Sequence, residues 1–166
     1  MRVLGLDPSL TSTGYGIIDA GGESYTVICQ GTIKPPKKAP LCNRLNLISK
    51  KIQEIIRDYN VSEVAIENLF FARNVKTAIT LGQVRGAALV AVASENLTLY
   101  EYSPLEIKQA VTGYGQADKN QVQTMIRILL SLPDIPLELD ASDALATAIC
   151  HLNSRIFQAN LEDSET

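Results

Sequence analysis

Apolar and polar positions divide the chain into short buried runs followed by longer helical periods. "RVLGLD" (2–7) is apolar nearly throughout and reads as a buried strand. "GYGIIDA" (14–20) and "SYTVICQGTI" (24–33), joined at Gly21 and Gly22, read as the next two strands of a meander. "KPPKKAP" (34–40) breaks the pattern. Leu41, Leu45, Ile48, Ile52, Ile55 and Ile56 then recur at helical spacing over 41–60. "VSEVAIE" (61–67) predicts a strand, 75–95 a helix rich in small residues, and "LTLYEY" (97–102) another strand. Helices follow over 104–113, closed by Gly113, over 118–132, stopped by Pro133, and over 140–158. A meander followed by alternating strands and helices implies a mixed sheet with helices on its faces.

Two of these strands end on a carboxylate, Asp7 and Glu67. If the two strands are parallel neighbours, both acids project at one end of the sheet, where sites of open α/β sheets gather. Asp140 and Asp143, spaced i, i+3 at a helix start, share a helix face. Each acid also has a plain structural reading. Asp7 before Pro8 can open a turn, Glu67 can be surface charge, and Asp140 with Asp143 can be a cap and a first-turn acid. Against the plain reading stand the apolar neighbours in "GLD", "AIEN" and "LDASDAL". Half-buried carboxylates that meet repel one another unless a cation neutralises them. An all-oxygen set suits Mg²⁺ or Mn²⁺, and two such ions support phosphodiester cleavage.

Composition changes this picture little. With 166 residues, 46% hydrophobic and 20% charged, the chain suits one globular domain over 1–158, with an acidic tail over 159–166 expected to be flexible. Net charge is -3, but residues 1–130 carry 14 Lys and Arg against 11 Asp and Glu. The acidic excess lies in 131–166, so a DNA partner is not excluded. No apolar stretch long enough to span a bilayer is expected; 78–93, the best candidate, contains Gln83 and Arg85. No signal peptide is evident, and Cys29, Cys42 and Cys150 form neither a zinc pattern nor a disulfide framework. A cytoplasmic location fits. GxxxxGK, HExxH and GxSxG motifs are missing, and the lone His151, deep in the last helix, reads as a structural histidine.

"LGLDPSLTSTGYGII", "IENLFFARNVKTAITLGQVRG", "EYSPLEIKQAVTGYGQADKNQVQ" and "LDASDALATAICH", in this order over roughly residues 2–155, resemble the RuvC family of Holliday junction resolvases. One departure is Ser9, where the family usually has Gly after Asp-Pro, which bears on the local turn. The resemblance implies a ribonuclease H-like fold, a five-stranded mixed sheet flanked by helices. It implies Mg²⁺-dependent endonuclease cleavage at four-way DNA junctions, with two ions per site and Mn²⁺ able to substitute. It matches Asp7, Glu67, Asp140 and Asp143 to the family's catalytic, metal-binding acids, and Lys108 and Lys119 to lysines beside the DNA phosphates. It points to Phe70, rather than its neighbour Phe71, as an aromatic that stacks on or wedges between junction bases. Arg73 and Lys76, with Lys34, Lys37, Lys38, Arg85 and Arg127, are further candidate phosphate contacts, each of which can instead be a solvated surface charge. The resemblance further implies a homodimer, through the smooth face of Gly82, Gly86, Ala87 and Ala88, and RuvA–RuvB as partner. Two rivals stand beside it: a junction-binding module without catalysis, and a nucleotide-binding domain of the actin and sugar-kinase type.

Overall fold

The computed structural model describes residues 1–21, 24–68, 74–133 and 137–164, with side chains to residue 158. Strands β1 (Arg2–Asp7), β2 (Thr13–Gly21), β3 (Ser24–Ile33), β4 (Glu63–Glu67) and β5 (Leu99–Tyr102) form one sheet in the order β3-β2-β1-β4-β5. The meander pairs antiparallel, whereas β1–β4 and β4–β5 pair parallel, so the sheet is mixed as expected. Helices α1 (Leu41–Asp58), α2 (Val75–Ser94), α3 (Pro104–Thr112), α4 (Lys119–Leu129) and α5 (Leu139–Ser164) complete the fold.

Side chains alternate across a strand, so each strand feeds two cores. Leu4, Leu6, Ile17, Val64 and Ile66 pack with Ile48, Ile52 and Ile56 of α1 and Val84, Ala88 and Val92 of α2. Val3, Ile18 and Ala65 point the other way and pack against α3, α4 and Leu145, Ala148 and Ile149 of α5. Asp7 and Glu67 belong to this second register and therefore face α5. α5 can lie close there because the sheet has almost no side chain beneath it. A methyl group on Gly5 would sit 1.9 Å from the Ala144 carbonyl oxygen, and one on Gly14 equally close to that of Asp140. Gly16 lies under Leu145 in the same way. Tertiary packing, rather than turn chemistry, therefore requires glycine at these strand positions.

Helix starts follow local capping chemistry. Asn74 accepts a hydrogen bond from the Thr77 amide at 2.8 Å, and Ser103 with Glu106 and Asp118 with Gln121 form reciprocal capping boxes. Gly113, at φ 75°, closes α3. Asp140 is not a cap, because α5 already begins at Leu139 and places Asp140 in its first turn. α5 also runs on to Ser164, past the point where a tail was expected. Ser9 is not among the residues with positive φ, so the turn after Asp7 does not need glycine there.

By length and composition alone α2 is apolar enough to cross a membrane, despite Gln83 and Arg85. In the fold, Val84, Ala88, Ala91 and Val92 of this helix are buried in the first core, and Arg85 is tied to the sheet by polar contacts. A core helix passes the same composition test.

Candidate nuclease site

β1 and β4 are parallel neighbours, with Leu6 opposite Ile66, so Asp7 and Glu67 occupy the next rung at the same sheet end. Asp140 and Asp143 reach that end from the first turns of α5. The four charges act on one another. Burial, then the fields of Asp143, Glu67 and Asp140, push the Asp7 carboxyl up to about 7, with Lys119 opposing. Burial and Asp143 also raise Glu67, while Lys119 and Lys108 pull it down. Lys119 Nζ donates to Asp143 at 2.8 Å, and this pairing raises the lysine's own pKa. Glu67, Lys108, Lys119 and Asp143 line one open cleft floored by Ile107, Val122 and Ala146.

As they lie, no three such side chains among the described residues form a closed ion-holding group. Their chemistry nevertheless fits divalent cations. All the donors are hard oxygens, and a carboxyl whose charge is disfavoured first by burial and then by neighbouring acids is relieved by added positive charge.

The other candidates separate clearly. Lys76 lines a second cleft with Arg44, Ser9, Thr11, Thr77 and Thr80, beside the loop that follows Asp7. That loop is closed by Thr13, whose hydroxyl donates to the Ser9 carbonyl at 2.6 Å. Phe70, Phe71 and Arg73 lie outside the described residues. Arg85 is corrected from a candidate phosphate contact to an inward-facing support: it donates to the Glu67 carbonyl at 3.0 Å and pairs with Glu101. Lys34 is drawn to Glu138 at 2.8 Å, and Arg127 donates to the Pro133 carbonyl. The support given by Arg85 was hidden in the sequence because its partners lie on other elements. His151 is fully buried and hydrogen-bonded, as a structural histidine should be.

Known proteins of the same kind share this arrangement of elements. The family described as "Crossover junction endodeoxyribonuclease RuvC" matches residues 3–151. A relative of that description from Halothermothrix orenii is 49% identical over 154 residues, spanning 93% of both chains. One from Clostridioides difficile is 44% identical over 163 residues, covering 98% of this chain and 96% of its own. The solved structure titled "T. thermophilus RuvC in complex with Holliday junction substrate" superposes with a TM-score of 0.89 at 32% identity, over 94% of this chain and 96% of that one. The fold is thus the ribonuclease H-like one of the resolvases, and the chain belongs to the RuvC family of crossover junction endodeoxyribonucleases.

Proposed function

We propose that the chain resolves four-way DNA junctions as a homodimer, each protomer nicking one of two like-polarity strands with Asp7, Glu67, Asp140 and Asp143. The observation that carries this reading is the placement of Asp7 and Glu67 at the ends of the parallel neighbours β1 and β4, with Asp140 and Asp143 of α5 close enough to act on Asp7. Such an arrangement is costly to a binding protein, because four carboxylates repel DNA phosphate, and it serves a site that takes up divalent cations. The four acids would hold two such ions, Mg²⁺ by preference with Mn²⁺ as substitute. When bound, the ions supply activation of water and stabilisation of the leaving oxygen. Water oxygen bonds to phosphorus, the bond to the 3′ oxygen breaks, and a proton ends on that oxygen, leaving a 5′-phosphate and a 3′-hydroxyl. Lys119 and Lys108, on the wall of the same cleft, offset the charge that grows on the phosphate. Lys76 in the neighbouring cleft and Arg73 contact flanking phosphates, and Phe70 stacks at the junction.

The dimer reading is supported by α2, though not by the whole face expected, since Ala88 is buried in the first core while Gly82 and Gly86 face outward. Val75, Ile79 and Val90 are 75%, 58% and 63% exposed, and open space lies over Gly82 and Gly86 between them. These positions share one helix face, and a two-fold pair of such faces would set two equivalent sites against two equivalent strands. RuvA–RuvB is the protein partner that family membership suggests. The three free cysteines suit a reducing, cytoplasmic compartment.

The test is a labelled four-way junction beside a matched duplex, with Mg²⁺ or with EDTA. Paired nicks in the junction alone, dependent on Mg²⁺ and lost in Asp7→Asn with binding retained, are expected. Cutting in EDTA, or normal cutting by Asp7→Asn, overturns the reading.

A further inference from the structure

β4 and α5 carry three of the four site acids, and they run side by side in opposite directions. Glu63, Ala65 and Glu67 share the α5-facing register of β4. Glu67 stands at the site; Glu63 stands at the far end, roughly 13 Å away at the usual rise along a strand. There it accepts a hydrogen bond from His151 Nε2 at 2.6 Å. His151 lies eight residues after Asp143, about 12 Å along the helix, so the two strand–helix contacts have nearly matched spacing. The far contact is elaborate for a plain core position. His151 is fully buried, and its Nδ1 accepts from the Tyr102 hydroxyl at 2.8 Å. Its ring packs on Tyr100 with centroids 4.5 Å apart. The second oxygen of Glu63 accepts from Arg155 at 2.6 Å, and the Arg155 guanidinium lies over Tyr100. Burial keeps the imidazole's pKa below its ordinary value, so the neutral ring donates through Nε2 and accepts at Nδ1.

Toward the site, the first turns of α5 rest on Gly5, Gly14 and Gly16. A glycine surface sets how deeply those turns sit and offers little side-chain relief against sliding, so their register depends on contacts further along the helix. These are apolar packing on Val3, Ile18 and Ala65, the Tyr25–Asn153 hydrogen bond at 2.5 Å, and the Glu63–His151 pair, which with Arg155 ties α5 by directional bonds to the strand that carries Glu67. Directional hydrogen bonds resist both sliding and turning. We propose that Glu63 and His151 are positioning residues of the nuclease site, fixing the axial and rotational register of α5 against β4 and so the placement of Asp140 and Asp143 relative to Glu67. The inference rests on the four acids being the nuclease site. A helix behaves as a stiff rod over three turns, so a shift at His151 reaches Asp143 almost undiminished. Misplacement of a reacting geometry by ~1 Å can cost about 10²-fold in rate.

The experiment compares wild type with His151→Leu, His151→Gln and Glu63→Met, each held well below its own melting temperature. Three quantities are read: single-turnover cleavage rate, junction affinity in Ca²⁺, and Mn²⁺ affinity by electron paramagnetic resonance without DNA. His151→Leu is expected to lose about 10-fold or more in rate and several-fold in Mn²⁺ affinity, with junction affinity unchanged. His151→Gln, which keeps a donor toward Glu63, recovers much of both. A His151→Leu protein that is folded, with a lower melting temperature but wild-type rate and Mn²⁺ affinity, overturns the proposal. If that variant does not fold, Glu63→Met decides by the same criteria, since it keeps the length of the side chain and removes the acceptor that His151 uses. Wild type failing to cut the junction would sink the proposed function instead, so the two failures are distinct.

Discussion

Asp7 is the residue at which burial and like charge act in the same direction. Its carboxyl titrates at about 7 in the fold against 3.8 ordinarily, so the folded chain holds that proton more tightly than the unfolded chain does. Between those values, raising the pH makes the unfolded state relatively more favourable, and metal-free stability falls. His151 acts with the opposite sign: its lowered pKa reduces stability as pH falls below 6.5. Comparing wild type with Asp7→Asn cancels the histidine. In EDTA at about pH 8 the Asn variant should gain on the order of 2 kcal/mol after allowance for solvent screening, roughly 4–8 °C in melting temperature. Mg²⁺ should raise the wild-type melting temperature more at high pH than at low pH, and should do much less for the variant; calorimetry across pH checks both. An equal melting temperature for the two proteins at every pH would mean Asp7 is not strained. If its charge acts on the reacting phosphate as proposed, Lys119→Ala should slow cleavage by about 10²-fold with little loss of junction binding. Unchanged single-turnover rates would reduce it to a partner of Asp143.

At the scale of elements, what was legible was what local chemistry determines. β3 follows the apolar run at 24–33 residue for residue, and α3 and α4 begin where Ser103 and Asp118 can cap them. Asp7 and Glu67 were legible as a pair because both end strands, and only the parallel pairing of β1 with β4 had to be assumed. The supports of the site were not legible, because each joins residues far apart in sequence. Gly14 reads in the sequence only as the start of a strand and proves to be the seat of the Asp140 backbone. Arg85 reads in the sequence as a solvated surface charge or a phosphate contact, and instead ties α2 to the end of β4. Two substitutions follow from these contacts. Gly14→Ala must push α5 off the sheet at Asp140, costing about 1–3 kcal/mol as overpacking and abolishing cleavage. Normal cutting by a folded Gly14→Ala protein would show that the helix has room to give. Arg85→Met should lower stability by about 2 kcal/mol, by leaving the Glu67 carbonyl and Glu101 without their donor, and should reduce cleavage. It should leave the salt dependence of junction binding unchanged, whereas loss of a phosphate contact would flatten the slope of log affinity against log salt by about 1.

For the whole molecule, the composition of α2 poses a question that its own fold does not answer. One face of the helix is buried in the first core, and the other exposes Val75, Ile79 and Val90 beside Gly82 and Gly86. Water over such a face costs roughly 25 cal/mol for each Å² left apolar, and a second copy of the same face removes that cost from both partners at once. The same helix begins eight residues after Glu67, so pairing through α2 would fix the distance between two nuclease sites as well as joining two chains. Affinity and coordinated cutting should therefore fail together. Ile79→Glu with Val90→Glu places charge on the exposed face without touching Val84, Ala88 or Val92, so the protomer should stay folded. Sedimentation should show wild type as a dimer and the double variant as a monomer at about micromolar concentration, where an interface of standard size holds. On the junction, the variant should leave singly nicked intermediates that wild type converts to resolved duplexes. Paired nicking by a stably monomeric variant would mean that the junction itself brings the two sites together, with α2 serving some other contact.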